Sequence, residues 1–147
     1  MALDRNLASA HTNIAFAKYI TGRAEETEAY VDVALRLSPR DTFAYVWLTV
    51  VGYSKSQLGA DEEAVAWFRR SLEINRNYPL THFALASTLA RLGRFGEART
   101  AVAAGLALQP EFTLVSYRAA ASSDNPLYLA GRERICDGML KAGVPER

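Results

Sequence analysis

The sequence predicts an all-α fold, an α-α superhelix of three helix pairs followed by a C-terminal capping helix. The first observation is an internal repeat, in which the words "YITGRAEETEAY", "SQLGADEEAVAW" and "ARLGRFGEARTA" follow one another along the chain. The second is its period, because the glycines of these words, Gly22, Gly59 and Gly93, lie 37 and 34 residues apart. The third is that an apolar helical stretch stands on each side of every glycine, so each unit reads as helix, turn and helix.

Each repeat is expected to contain two helices. The first helices are predicted over Ala8–Thr21, Phe43–Leu58 and Leu80–Leu92, and the second over Ala24–Leu37, Asp61–Ile74 and Gly96–Leu108. Glycine accepts the left-handed backbone that ends a helix, and acids such as Asp61 favour the positive end of the next helix dipole. Small residues such as Ala64 alternate with large ones such as Ile14, Phe16 and Phe68, a pattern that lets paired helices interlock.

We expect one domain over residues 1–147, with repeats at about 8–41, 42–78 and 79–112 and a capping segment at 113–147. The chain is long enough to bury a sizeable core, and half of its residues are apolar. The second repeat has three extra residues, which we expect to lengthen its first helix by almost one turn.

The tail contains the start signal of another helix. An Asp or Asn cap followed by Pro126 predicts a helix over Pro126–Lys141, ended by Gly143 and Pro145. Because the last repeat of a stack leaves an apolar face open, this helix is expected to cap it.

The opening word "ALDRN" resembles "EINRN" at the end of the second repeat. One interpretation is that the chain begins in the last turn of an upstream repeat, as a fragment of a longer protein. The alternative is a short extension that caps repeat one. In the first case the apolar face of Ile14, Tyr30 and Leu37 is left open. We then expect self-association as a homodimer, measurable by light scattering.

Composition argues against several classes of function. The net charge of +1 gives no electrostatic footprint for nucleic acid and no basic block for a membrane surface. No apolar run approaches the roughly 20 residues that span a bilayer. The single cysteine, Cys136, allows neither an internal disulfide nor a multi-cysteine zinc site. These features suit a cytoplasmic protein.

The repeats resemble those of tetratricopeptide-repeat proteins over nearly the whole chain. The resemblance rests on Gly22, Gly59 and Gly93 with the alanines and prolines around them, and it departs from the family at Thr27, where alanine is usual, and at Arg76, where proline is usual. It implies a protein–protein interaction module that binds a protein or peptide.

The tail resembles a narrower group. The segment "SSDNPLYLAGRERICDGMLKAGVPE", behind "NRNYPLTHFALASTLARLGRFGEA", is similar to the C-terminal end of bacterial class III adenylate/guanylate cyclases that carry tetratricopeptide repeats. The resemblance implies a regulatory segment of a signalling protein, with a cyclase domain, or in relatives a winged-helix domain, preceding the repeats. A free-standing scaffold or adaptor is the competing interpretation.

Residues with catalytic potential are few, so the chain itself is not expected to be an enzyme. His11 and His82 fall where the repeats usually place a large packing residue, as we also expect of Tyr45. Cys136 lies on the apolar face of its helix, where a thiol is usually inert. The glycines of the repeated segments are followed by acidic residues, which would repel the phosphate that a glycine-rich phosphate-binding loop holds. No cofactor and no metal site are therefore predicted.

The inner face of the superhelix, which the first helices line, is the candidate binding surface. The candidates for partner contact are Thr12, Asn13, Phe16, Tyr19, Tyr53, Phe83, Ser87 and Arg91. The lysines and asparagines with which some family members clamp a peptide carboxylate are missing, since Thr12 and Phe16 stand at two of their places. An apolar and aromatic groove suits a helix or another apolar segment. The alternative occupant is the chain's own C-terminal helix.

Overall fold

The computed structural model describes residues 2–147, and side chains from residue 4 onward. Over this range the chain folds into helices joined by turns, packed as adjacent pairs in a tetratricopeptide-like solenoid. The helices are α1 (Ala2–Ile20), α2 (Thr27–Leu37, preceded by a 3₁₀ turn at Ala24–Glu26), α3 (Ala44–Gln57), α4 (Asp61–Ile74), α5 (Pro79–Arg91), α6 (Phe95–Leu108), α7 (Leu114–Ala119) and α8 (Pro126–Ala142). The all-α superhelix of three pairs and a capping helix is confirmed.

The three repeat glycines separate the helices of each pair, as predicted. Gly22, Gly59 and Gly93 all have φ near +80°, at 81°, 81° and 79°. This is the left-handed conformation that a side chain disfavours. The chain therefore reverses at the same place in every repeat, which makes α1 and α2, α3 and α4, and α5 and α6 antiparallel neighbours.

The first helix begins earlier than predicted, because α1 runs without interruption from Ala2 to Ile20 and includes the opening segment "ALDRN", which the predicted range Ala8–Thr21 leaves out. Arg5 fixes this first turn against the turn between repeats one and two. Its Nε lies 3.2 Å from Oδ2 of Asp41, whose side chain is only 2% exposed. Asp41 also accepts hydrogen bonds from the Phe43 amide and the Ser38 hydroxyl. Met1 lies outside the described residues.

Only one of the three extra residues of repeat two lengthens its first helix, which corrects the expectation of almost one added turn. The other two lie in the turn before Ala44, which has six residues (38–43) against four (75–78) before α5, and α3 has 14 residues against 13 in α5. Counting back from the three glycines, Leu48 rather than Tyr45 corresponds to His11 and His82. Leu48 is 1% exposed and fills the core place that the sequence predicts for a large residue.

The paired helices interlock through small residues, as predicted. Ala15, Ala34, Ala64, Ala86 and Ala98 are at most 1% exposed. Two glycines admit an aromatic ring: a Cβ at Gly105 would lie 2.7 Å from the ring of Phe83, and Gly52 faces the ring of Phe68. Ile14 and Phe16, expected among the large packing residues, are instead 41% and 40% exposed.

A buried hydroxyl cluster joins α3, α4 and α5. The hydroxyl of Thr49 lies 2.8 Å from that of Ser71 and 2.9 Å from that of Thr81, and Ser71 donates to the Tyr45 carbonyl. All three hydroxyl residues are at most 2% exposed. Their mutual hydrogen bonds offset the cost of removing them from water.

The tail contains one helix that the sequence analysis missed and one that it predicted. The missed helix is α7, which begins with a reciprocal capping box between Thr113 and Ser116. The predicted helix α8 begins where the Asn125 side chain accepts from the Leu127 and Tyr128 amides, and it ends at Gly143, with φ +100°. The chain then returns beside α7, where the Leu114 amide donates to the Pro145 carbonyl.

Helix α8 comes very close to α5, and glycine makes this approach possible. A Cβ added at Gly138 would lie 2.5 Å from the carbonyl oxygen of Ser87. The hydroxyl of Ser87 donates to the Ile135 carbonyl at 2.7 Å. Ile135, Cys136 and Met139 thereby enter the same core as Phe83 and Leu89.

Replacing Gly138 by alanine should force α8 away from α5, since the obstructing atoms include the backbone carbonyl of Ser87 as well as its hydroxyl. We expect Gly138→Ala to lower the free energy of unfolding by about 1–3 kcal/mol, as overpacking usually does. Urea unfolding followed by circular dichroism measures this. The matched control is Gly96→Ala in α6, where an added Cβ meets nothing within 4 Å. That change should be neutral or stabilising by up to about 1 kcal/mol. Equal stability of both variants would contradict the packing argument.

Thr27 is a second test site, because its fully buried hydroxyl has no hydrogen-bond partner among the residues that the structure describes. Alanine stands at the corresponding places in the other repeats, Ala64 and Ala98. An unpaired buried hydroxyl costs about 1–3 kcal/mol, more than the lost methyl contact contributes. We expect Thr27→Ala to raise the free energy of unfolding by about 1 kcal/mol.

The control for that change is Thr81→Ala, which is also at a fully buried threonine. The Thr81 hydroxyl is hydrogen-bonded to Thr49, so its removal leaves the cluster incomplete. This variant should be less stable than the parent chain in the same urea experiment. A stabilised Thr81→Ala, or a destabilised Thr27→Ala, would contradict the distinction between paired and unpaired hydroxyls.

Candidate functional site

The inner face of the solenoid is divided into an open part and a covered part. Helix α8 crosses the C-terminal ends of α1, α3 and α5 in turn. Its cap residue Asn125 donates to the Thr21 carbonyl at 3.1 Å, Gly131 lies against Gln57, and Gly138 lies against Ser87. The chain's own C-terminal helix therefore occupies the face over α5 and the end of α3.

Three predicted partner contacts lie beneath α8, which corrects their assignment to an accessible groove. Phe83 and Ser87 are 0% exposed, and Arg91 donates to the Arg134 carbonyl at 3.0 Å. Phe83 stacks on Phe112 with ring centroids 3.9 Å apart. These side chains hold α8 and the tail in place, so no partner reaches them while α8 remains bound.

Arg91 joins four helices through one guanidinium group. Its Nη2 lies 2.7 Å from Oδ1 of Asp61 in α4, and the two side chains are 10% and 15% exposed. The same group donates to the hydroxyls of Ser56 in α3 at 2.6 Å and of Ser87 at 3.1 Å. A charge so deeply buried needs this full set of partners. Asp61, predicted as a helix-start acid, is thus also the counterion of Arg91.

Tyr19 and Tyr53 lie at the boundary between the covered and open parts. Their rings stack with centroids 5.9 Å apart, and Tyr19 also packs edge-on against Tyr128 of α8 at 5.2 Å. Tyr19 is 4% exposed, whereas Tyr53 is half-buried. The two residues support α8 and line a cavity of about 350 Å³ beside it.

The remaining candidates, Thr12, Asn13 and Phe16, lie together in an open groove between α1 and α3. We define the open groove by its lining residues, Ser9, Thr12, Asn13 and Phe16 from α1 and Val46, Trp47 and Val50 from α3. Two adjoining depressions of about 330 and 190 Å³ form it, and they share four of these residues. Its apolar base reaches Ala15 and Val31 in the core. The sequence analysis did not single out Trp47, whose side chain contributes mainly to the core.

The histidines and the cysteine occupy structural environments. His82 Nε2 lies 2.8 Å from the Arg76 carbonyl, and the His11 ring packs near Tyr30 with centroids 6.3 Å apart. Cys136 is fully buried, and burial raises the pKa of its thiol. Within residues 2–147, no three His, Cys, Asp or Glu side chains converge as metal ligands.

Of the three apolar residues expected to be exposed at the end of repeat one, only Ile14 is exposed. Ile14 is 41% exposed, but Tyr30 and Leu37 are half-buried and pack against the N-terminal core. Among the described residues, no helix combines the length and apolar character needed to cross a bilayer.

Comparison with known proteins supports the class of fold. The family model described as "Tetratricopeptide repeat" matches residues 48–78, which run from α3 through α4 to the start of α5. This match supports a tetratricopeptide-repeat protein, a class that typically binds proteins or peptides and typically acts as a scaffold without enzymatic activity. A search of curated proteins found no match.

The buried tyrosines predict a loss of stability at alkaline pH. Burial raises the pKa of Tyr19, Tyr53 and Tyr117 well above the ordinary value of 10.0. The folded chain therefore keeps protons that the unfolded chain releases from about pH 10 upward. Stability is fully present below about pH 10 and falls above it, by up to about 1.4 kcal/mol per pH unit for each group.

Thermal unfolding at a series of alkaline pH values, with tyrosinate absorbance recorded in parallel, checks this expectation. The variant Tyr53→Phe removes one of the three groups, so its stability should fall less steeply with pH. Full tyrosinate absorbance in a chain that is still folded, or an unchanged slope in Tyr53→Phe, would contradict the assignment.

Proposed function

We propose that the chain is a protein–protein interaction module whose open groove binds an apolar, helical segment of a partner. The observation that carries the proposal is the uncovered apolar surface between α1 and α3, where Phe16 is 40% exposed beside Val46 and Val50. Exposed aromatic and β-branched side chains in a concave site are typical of helix-binding grooves.

The chain itself supplies the argument for a helical partner. Helix α8 is an amphipathic helix that rests on the same inner face, one repeat further along, and buries Tyr128, Ile135 and Met139 there. The inner face is thus already suited to a helix with an apolar side. Polar groups of Thr12 and Asn13 at the edge of the open groove can fix the orientation of such a segment.

Selection from a library of helical peptides tests the proposal without a known partner. We expect the selected peptides to carry apolar residues at a spacing of three and four. Phe16→Glu should weaken their binding by about tenfold or more, because it places a charge in the apolar contact. The matched control is Leu127→Glu, at a residue of α8 that is 62% exposed and outside the open groove. Peptides that bind Phe16→Glu as well as the parent chain would overturn the proposal.

A second copy of the chain is the alternative occupant of the open groove. The homodimer expected from the sequence would be seen by light scattering, and Phe16→Glu would convert it to a monomer if the groove mediates it. If the parent chain is a monomer, a second copy is not the occupant of the groove, and the groove is available to a different partner.

We further propose that the module regulates a bacterial adenylate/guanylate cyclase signalling protein in the cytoplasm. The support is the similarity of the α8 segment and its preceding repeat to the C-terminal ends of such cyclases. The alternative is a free-standing adaptor. The complete reading frame that encodes the chain decides between them, since the first requires a cyclase domain in the same polypeptide.

A further inference from the structure

The cavity beside α8 has the size of a small-molecule site. It measures about 350 Å³, at the lower end of the range of about 300–1,000 Å³ typical of ligand pockets. Tyr19 and Tyr53 from the inner face, Phe112 and Tyr117 from the tail, and Arg132 of α8 line it. It is separate from the open groove, so this inference does not depend on the proposed function.

Arg132 is a partly buried cation that no carboxylate neutralises among the described residues. No Asp or Glu oxygen lies within 4.0 Å of it, whereas Arg91, Arg118 and Arg134 all have acidic partners. Its guanidinium lies 3.9 Å from the ring centroid of Tyr117, to whose carbonyl it donates, and 3.3 Å from the Tyr128 hydroxyl. These neutral contacts position the group and leave N–H donors free.

The walls of the cavity supply further donors and no negative charge. None of the residues that line it is an aspartate or glutamate. Tyr117 is 4% exposed, and within the described part of the chain its buried hydroxyl has no hydrogen-bond partner. The phenols of Tyr19, Tyr53 and Tyr117 are protonated donors at neutral pH, since their ordinary pKa is 10.0 and burial raises it further.

From these observations we propose that the cavity binds a small carboxylate with an aromatic or apolar body. The carboxylate would accept hydrogen bonds from the Arg132 guanidinium. Such charge-assisted hydrogen bonds are stronger than those between neutral groups. The rings of Tyr19, Tyr53 and Phe112 would contact the apolar body. This site differs from the carboxylate clamp of the repeats, because its cation comes from the C-terminal helix.

Binding of phenylacetate to the full chain tests the proposal, with the isosteric neutral phenylacetamide as its control. We expect phenylacetate to bind about tenfold or more tightly than the amide, and to shift the backbone amide resonances of Tyr117 and Ser122, two residues that line the cavity. Equal affinity of the two probes, absence of binding, or shifts confined to other surfaces would overturn the proposal.

Two arginine variants distinguish binding at Arg132 from a general effect of positive charge on the protein surface. Arg132→Gln should abolish the preference for phenylacetate over phenylacetamide, while Arg118→Gln, at an exposed arginine of α7 paired with Glu133, should keep it. If Arg132→Gln does not fold by circular dichroism, Arg132→Lys retains the charge and should retain part of the preference. Loss of the preference in Arg118→Gln would also overturn the proposal.

Discussion

The close approach of α8 to α5 is the constraint on which the C-terminal half of the structure depends. Glycine at position 138 lets the two backbones touch at Ser87, and only then can Ile135 and Met139 reach the core beside Phe83. The same approach brings the Arg134 carbonyl to Arg91, whose charge is otherwise satisfied by Asp61. Packing and hydrogen bonding thus support each other, because neither is complete at a larger helix separation.

This arrangement decides which part of the inner face is available to a partner. Helix α8 begins at the end of α1 and diverges from it, so it covers the C-terminal part of α5 and leaves the middle of α1 and α3 free. The residues closest to α8 are therefore structural, although they occupy the same places in their repeats as residues of the open groove. Equivalent positions in successive repeats need not have equivalent roles, since each repeat meets a different neighbour.

Most of the fold could be predicted from the sequence, because it depends on local signals. Gly22, Gly59 and Gly93 fix the turns through backbone conformation, and the cap at Asn125 with Pro126 fixes the start of α8. The path of α8 over the inner face could not be predicted, because it is a contact between segments about 50 residues apart, such as Ser87 and Gly138. A signal was present, since Gly131 and Gly138 are seven residues apart and thus on one side of a helix. The missed α7 was indicated by Thr113 and Ser116, a local capping pattern.

Arg91 and Arg132 show why the candidate sites could not be told apart by residue type alone. Both are helical arginines that donate hydrogen bonds to a side-chain hydroxyl and to a backbone carbonyl. Arg91 has Asp61 as a counterion, so its electrostatic interactions are complete within the chain. Arg132 packs on the aromatic ring of Tyr117 instead of pairing with a carboxylate, and it lines the adjoining cavity. A cation held in such a place by neutral groups keeps its attraction for an anion from outside the chain.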